Sequence, residues 1–106
     1  MSRVAIDRNG RWFDSENAEK FDDEKWFDGS NNVSLATRKA NCFQTLYRTS
    51  GKVWIIHSYD YYQGSAEKYS IVDDSCAAAW LMVNEYDPDD LDFGVTIRKL
   101  MLALEV

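Results

Sequence analysis

Residues 43–72 constrain the fold most tightly. Phe43, Thr45 and Tyr47 alternate with Gln44, Leu46 and Arg48, and after Ser50-Gly51 the chain returns through a second alternating run over 52–59. In that returning run Val53 and Ile55 point to one face while Trp54 and Ile56 point to the other. A strand that is apolar on both faces is stable only inside a sheet covered on both sides. A further segment, 67–72, alternates Tyr69 and Ile71 against Ser70 and Val72. Together with Val33 and Leu35 in 33–37, these runs predict a four-stranded antiparallel meander over 33–72.

The flanks supply the rest of an α+β domain. Val4 and Ile6, then Arg8-Asn9-Gly10-Arg11, then Trp12-Phe13 predict an N-terminal hairpin. Asn-Gly there suits the two positive-φ positions of a type I′ turn. The hairpin would extend the sheet to between four and six strands. Asp14-Ser15-Glu16-Asn17, with Ala18 and Phe21, is equally consistent with one helical turn or an irregular loop. Trp26-Phe27 lead into Asp28-Gly29-Ser30-Asn31-Asn32, a dense turn cluster.

Past Val72 the apolar period changes from 2 to 3.6. Asp73 or Asp74 can cap a helix containing Cys76, Ala77, Ala79, Trp80 and Val83, ended by Asn84-Glu85-Tyr86. Asp87-Pro88 resembles a second helix start, although Gly94 would delay it to near Val95. Phe93, Ile97, Leu100, Met101 and Leu104 form its apolar stripe, opposite Arg98 and Lys99. The expected core sets Trp54 and Ile56 against Trp80, Val83, Ile97 and Met101. At 106 residues, with 45% apolar side chains, the chain is expected to form one domain over 1–106.

Charge narrows the functional classes. Residues 14–28 hold seven acids against Lys20 and Lys25, a net of −5, and residues 85–92 hold five acids and no base. With a total of −6, non-specific binding to a phosphate backbone is disfavoured. These acids serve either as solvated faces or as a surface for a basic protein partner; Asp22, Asp23, Asp89 and Asp90 are the candidates. A homodimer pairing acidic and positive faces is also open. Cys42 and Cys76 make neither a disulfide framework nor a zinc site, and are expected to be free, buried thiols. No apolar run is long enough for a membrane span and the N-terminus lacks a signal core, so a cytoplasmic setting is expected.

No catalytic, metal or cofactor motif stands out. Asp28-Gly29-Ser30-Asn31-Asn32 lacks the distal glutamate of a calcium loop, with Leu35 near that position, and acids in 87–92 suit a helix start without any metal. His57, the single histidine, lies on the Val53/Ile55 face. A structural imidazole is the plainer reading; a small enzyme using His57 with Asp60 is the sharper one. The loop Tyr59-Asp60-Tyr61-Tyr62-Gln63-Gly64 is the clearest binding candidate, because tyrosine gives contact area with little rotamer loss. Tyr59, Tyr61, Tyr62 and Gln63 could equally pack on Trp12 and Phe13. They could also stack single-stranded nucleic-acid bases if Arg38, Lys39, Arg48 and Lys52 shared their face.

The stretch 26–37, Leu46-Tyr47-Arg48-Thr49, Lys52-Val53-Trp54-Ile55-Ile56-His57-Ser58, Gln63-Gly64-Ser65 and Ala77-Ala78-Ala79-Trp80-Leu81 resemble a family of small bacterial proteins without assigned function. Its pattern is Trp/Phe-Asp-Gly-x-Asn-x-x-Ser-x-Ala-Thr, a strand pair, a Gln-Gly-Ser loop and Ala-Ala-x-Trp-Leu in a helix. The likeness covers about residues 26–86. Tyr59 and Tyr62 stand where that pattern carries tryptophan. The resemblance implies one α+β unit and brings no reaction with it. The expected function is therefore a non-enzymatic protein-interaction module. A phage- or plasmid-type inhibitor, whose carboxylates imitate nucleic-acid phosphates, is the alternative.

Overall fold

The computed structural model describes residues 2–27, 29, 32–37, 42–60, 67–90 and 93–106. The expected α+β architecture forms, with antiparallel sheets followed by two C-terminal helices. The largest sheet has four strands. They are β3 (Glu19–Asp22), β6 (Cys42–Arg48), β7 (Trp54–Asp60) and β8 (Lys68–Val72), in the order β3-β6-β7-β8; two hairpins are formed by β1 (Arg3–Ala5) with β2 (Trp12–Asp14) and by β4 (Lys25–Phe27) with β5 (Asn32–Ser34).

β6 and β7 pair over their full length, from Cys42↔Asp60 to Arg48↔Trp54, and β8 continues the sheet from Ser58↔Lys68 to Trp54↔Val72. The turn between β6 and β7 closes through Thr49 N–H to the Val53 carbonyl, with Lys52 at φ +64°. Alternation sorts the side chains into two layers. Leu46, Trp54 and Ile56 face α1 (Asp74–Val83) and α2 (Gly94–Leu102), and pack with Ala77, Ala78, Trp80, Leu81, Phe93, Ile97 and Met101. Ile55, His57 and Tyr59 face the other way, as do Phe43, Thr45 and Tyr47. Phe13 of the N-terminal hairpin covers part of that second face, its ring 5.2 Å from Tyr47 and 6.0 Å from Tyr69.

Local chemistry explains the ends of α1. The Asp73 side chain accepts from Cys76 N–H, filling one of the orphan donors of the first turn. At the other end Glu85 takes φ +66°, and the Tyr86 and Glu85 amides bond back to the Leu81 and Met82 carbonyls. That is a Schellman closure made without glycine. Asn84 is buried, donating to the Trp80 carbonyl and accepting from Glu24 N–H, so it fastens the helix end to the strand layer.

Several boundaries differ from the sequence reading. The strand beside β6 is 19–22, not 33–37. Asp14 uses its cap chemistry in a turn, accepting from Glu16 N–H and Asn17, which frees the chain to extend afterwards. Phe21 alone of that strand enters the core, against Trp54, Tyr86 and Phe93. Residues 32–34 return along β4 instead. In the first hairpin only Gly10 of the Asn9-Gly10 pair has positive φ, because Asp7 accepts from both Asn9 and Arg11 amides and holds a wider loop. Asp87 likewise forms a turn, accepting from Asp89 N–H, and α2 starts at Gly94. Val83 is exposed and so is Leu104, so neither joins the core. Cys42 and Cys76 are free, but half-buried and exposed respectively.

Trp54 is 2% exposed and Trp80 6%, with the Trp80 indole N–H donating to Gln44 Oε1 at 3.0 Å. Replacing either by alanine is expected to cost about 3–5 kcal/mol in chemical denaturation. Unchanged midpoints in both variants would contradict this core.

Candidate functional site

The second sheet face is only partly covered, and two surfaces result. The first is a groove of about 520 Å3 between the N-terminal hairpin and the sheet. Ile55 forms its floor, and Ile6, Trp12, Val53 and Ile71 contribute apolar walls. Trp12, Val53 and Ile71 are each more than a third exposed. Arg3 lies 4.9 Å over the Trp12 ring, and Arg11 is ion-paired with Asp7, so cations at this rim are already engaged.

The second surface is an aromatic row around His57. Its imidazole stacks on Tyr69 at 4.2 Å with the planes 4° apart, and lies 4.9 Å from Tyr59, which in turn packs 6.0 Å from Phe43. Burial pushes the His57 pKa below its ordinary value, opposed by Glu67, whose Oε2 lies 3.6 Å from Nε2. That nitrogen is buried and has no hydrogen-bond partner among the described residues. Burial also raises the Tyr69 hydroxyl pKa. This is the geometry of a packed imidazole; Asp60, the expected partner, has its side chain outside the described residues.

Asp23 is the most committed acid. It is 1% exposed and receives three donors: Lys25 Nζ at 2.7 Å, Gln44 N–H at 2.9 Å and the Ser34 hydroxyl. Burial alone would lower the Lys25 pKa, but this carboxylate outweighs it and raises it. The hub ties β4, β5 and β6 together. Asp22 is exposed, with its carbonyl accepting from the Tyr86 hydroxyl and its carboxylate 3.9 Å from Lys20. Asp89 pairs with Arg98, and Asp90 N–H donates to the Asp87 carbonyl. Glu19 pairs with Arg48, which also donates to the Phe93 carbonyl.

The candidate residues from the sequence are thus dispersed. Tyr59 joins the aromatic row, while Tyr61, Tyr62 and Gln63 lie outside the described residues. Arg38 and Lys39 lie outside them too, and Arg48 faces the helices while Lys52 sits in an exposed turn. A smaller cleft of about 380 Å3 at the start of α2 contains Arg48 and Lys52. Among the described residues no three His, Cys, Asp or Glu side chains are placed to hold a metal, and no helix is long and apolar enough to cross a membrane. The apolar groove was not foreseen; Val53, Ile55 and Ile71 alternating on one face were its signal. Trp26 and Phe27, which in the sequence lead into a turn cluster, are 49% and 67% exposed on β4.

No family model, no curated protein and no solved structure matches this chain.

Two outcomes test the site. Asp23→Ala leaves Ser34 and the Gln44 amide without their acceptor, and should cost about 1–3 kcal/mol in denaturant unfolding; a change near zero would contradict the hub. For His57, the folded pKa is depressed, so the unfolded state takes the proton first as pH falls. Stability from the neutral imidazole is therefore complete above the unfolded value near pH 6.5 and declines below it. Melting temperature should fall between about pH 7 and 5.5 in the wild type and less in His57→Gln. Parallel curves would show that His57 carries no such linkage.

Proposed function

We propose that this chain is a non-enzymatic protein-interaction module whose contact surface is the partly covered second sheet face. The observation that supports this best is the groove, where Trp12, Val53 and Ile71 hold apolar surface in water around a floor of Ile55. Concave apolar surface with few polar groups is what a binding site needs, and exposing it without a partner costs free energy. Trp26 and Phe27 add aromatic area of the kind enriched at interfaces.

An enzyme reading draws less support. His57 is stacked between the Tyr59 and Tyr69 rings, and Thr45, its partner across the strands, is buried, so its surroundings are those of a packed side chain. Phosphate mimicry draws less as well, because it needs carboxylates that face solvent without partners. Asp14, Glu16, Glu19 and Asp23 are instead bound to groups of this same chain. Excess acid still biases the partner toward basic character.

Affinity capture from a lysate of the source organism tests the reading. Wild type is compared with Trp12→Ala/Val53→Ser, a pair of exposed positions whose change should leave the fold intact. The double variant is expected to lose a protein that the wild type retains, by at least about tenfold. Equal recovery of every protein by both baits would remove the groove from the interaction.

A further inference from the structure

We infer that the outer edge of β8 takes up an extended, basic segment of a partner protein as a fifth strand of the main sheet. The inference rests on the interaction-module reading and specifies its geometry.

The two edges of the four-stranded sheet differ in kind. β3 is short, three of its four residues are charged (Glu19, Lys20 and Asp22), and its last carbonyl accepts from the Tyr86 hydroxyl at 2.7 Å. Those are the usual protections against unwanted pairing. β8 has fewer of them. Its five residues carry one charge, Lys68 at its start, and neither proline nor glycine, and they pair with β7 in unbroken register without a bulge. Among the described residues its backbone bonds only to β7, and alternate amides and carbonyls along the opposite side have no partner among those residues. Tyr69, Ile71 and Val72 are strand-favouring side chains, and Ile71 is 39% exposed.

The surroundings say what the edge accepts. Ile71 lies at the boundary between β8 and the apolar groove, beside Ile55, Val53 and Trp12. An added strand would place every second side chain on that face, continuing the row Ile55–Ile71 toward the groove, while its backbone satisfied the open edge. Acids stand at both ends of β8: Glu67 before it, Asp73 and Asp74 after it, all exposed. A segment with basic residues at its two ends is therefore attracted to the edge, with Lys68 the one opposing charge within the strand. A second copy of this chain suits the edge poorly. Antiparallel pairing centred on Ser70 would set Glu67 against Asp73 of the copy, and each chain carries −6.

The experiment uses the full chain, labelled for amide NMR, and a blocked six-residue peptide alternating lysine and valine. The peptide is expected to shift the amide resonances of residues 68–72 while leaving those of 19–22 in place. The same peptide with every backbone nitrogen methylated keeps its charge and side chains but cannot donate; it should bind at least about tenfold more weakly. Ile71→Lys, a substitution at an exposed position, should weaken the parent peptide by a similar factor and keep wild-type dispersion elsewhere. Equal binding of parent and methylated peptides would reduce the effect to charge and overturn the proposal. So would shifts centred elsewhere, or concentration-dependent broadening of 68–72 without peptide, which would give the edge to a second copy. If Trp12→Ala/Val53→Ser loses a captured protein while the peptide leaves 68–72 unmoved, the module reading survives and strand addition falls.

Discussion

β7 carries apolar side chains on both faces, and the layers on either side exist to cover them. Trp54 and Ile56 require the two helices; Ile55 requires something on the opposite side, which the N-terminal hairpin supplies in part. Burial of each large side chain contributes roughly 1.5–3 kcal/mol, so a central strand lacking either cover would be unstable. The incomplete second cover is also what leaves apolar surface available. Fold and binding surface thus arise from one constraint, the need to shield both sides of a single strand.

The acidic character of the chain has a structural use alongside its effect on solubility. Asp7 and Asp14 hold turns by accepting backbone amides; the Arg11 side chain, helped by the Asn9 and Arg11 amides, keeps the Asp7 carboxyl below its ordinary pKa, and the Ser2 and Glu16 amides do the same at Asp14. Asp73 caps a helix, Glu19 pairs with Arg48, and Asp23 ties the three-residue strands β4 and β5 to the longer β6. Short strands with few cross-strand bonds need such side-chain ties. Other exposed acids, Glu67 and Asp74 among them, stand where the sheet stops.

Much of this was legible before the structure. The two-faced run 53–56 placed the central strand, and the period change after Val72 placed both helices, because burial dictates periodicity. Boundaries failed where one side chain could serve two local structures. Asp14 and Asp87 each offered a helix cap and each instead closed a turn. The strand 19–22 was hidden because an edge strand covered on one face contributes a single core residue, Phe21. In the sequence Asp23 resembles surface charge, since nothing in its neighbours announces that Lys25, Ser34 and the Gln44 amide converge on it. Such a hub depends on contacts up to 21 residues apart and has no local signature.

Native-state hydrogen exchange on the unliganded chain tests the central claim most directly: β7 is the sheet's doubly covered centre and β8 its open margin. Amides of 42–48 and 54–60 bonded within the sheet should exchange only through global unfolding, whereas those of 68–72 should divide into a slow set bonded to β7 and a fast set facing solvent. Uniformly slow exchange along 68–72, or early exchange in 54–60, would contradict the account.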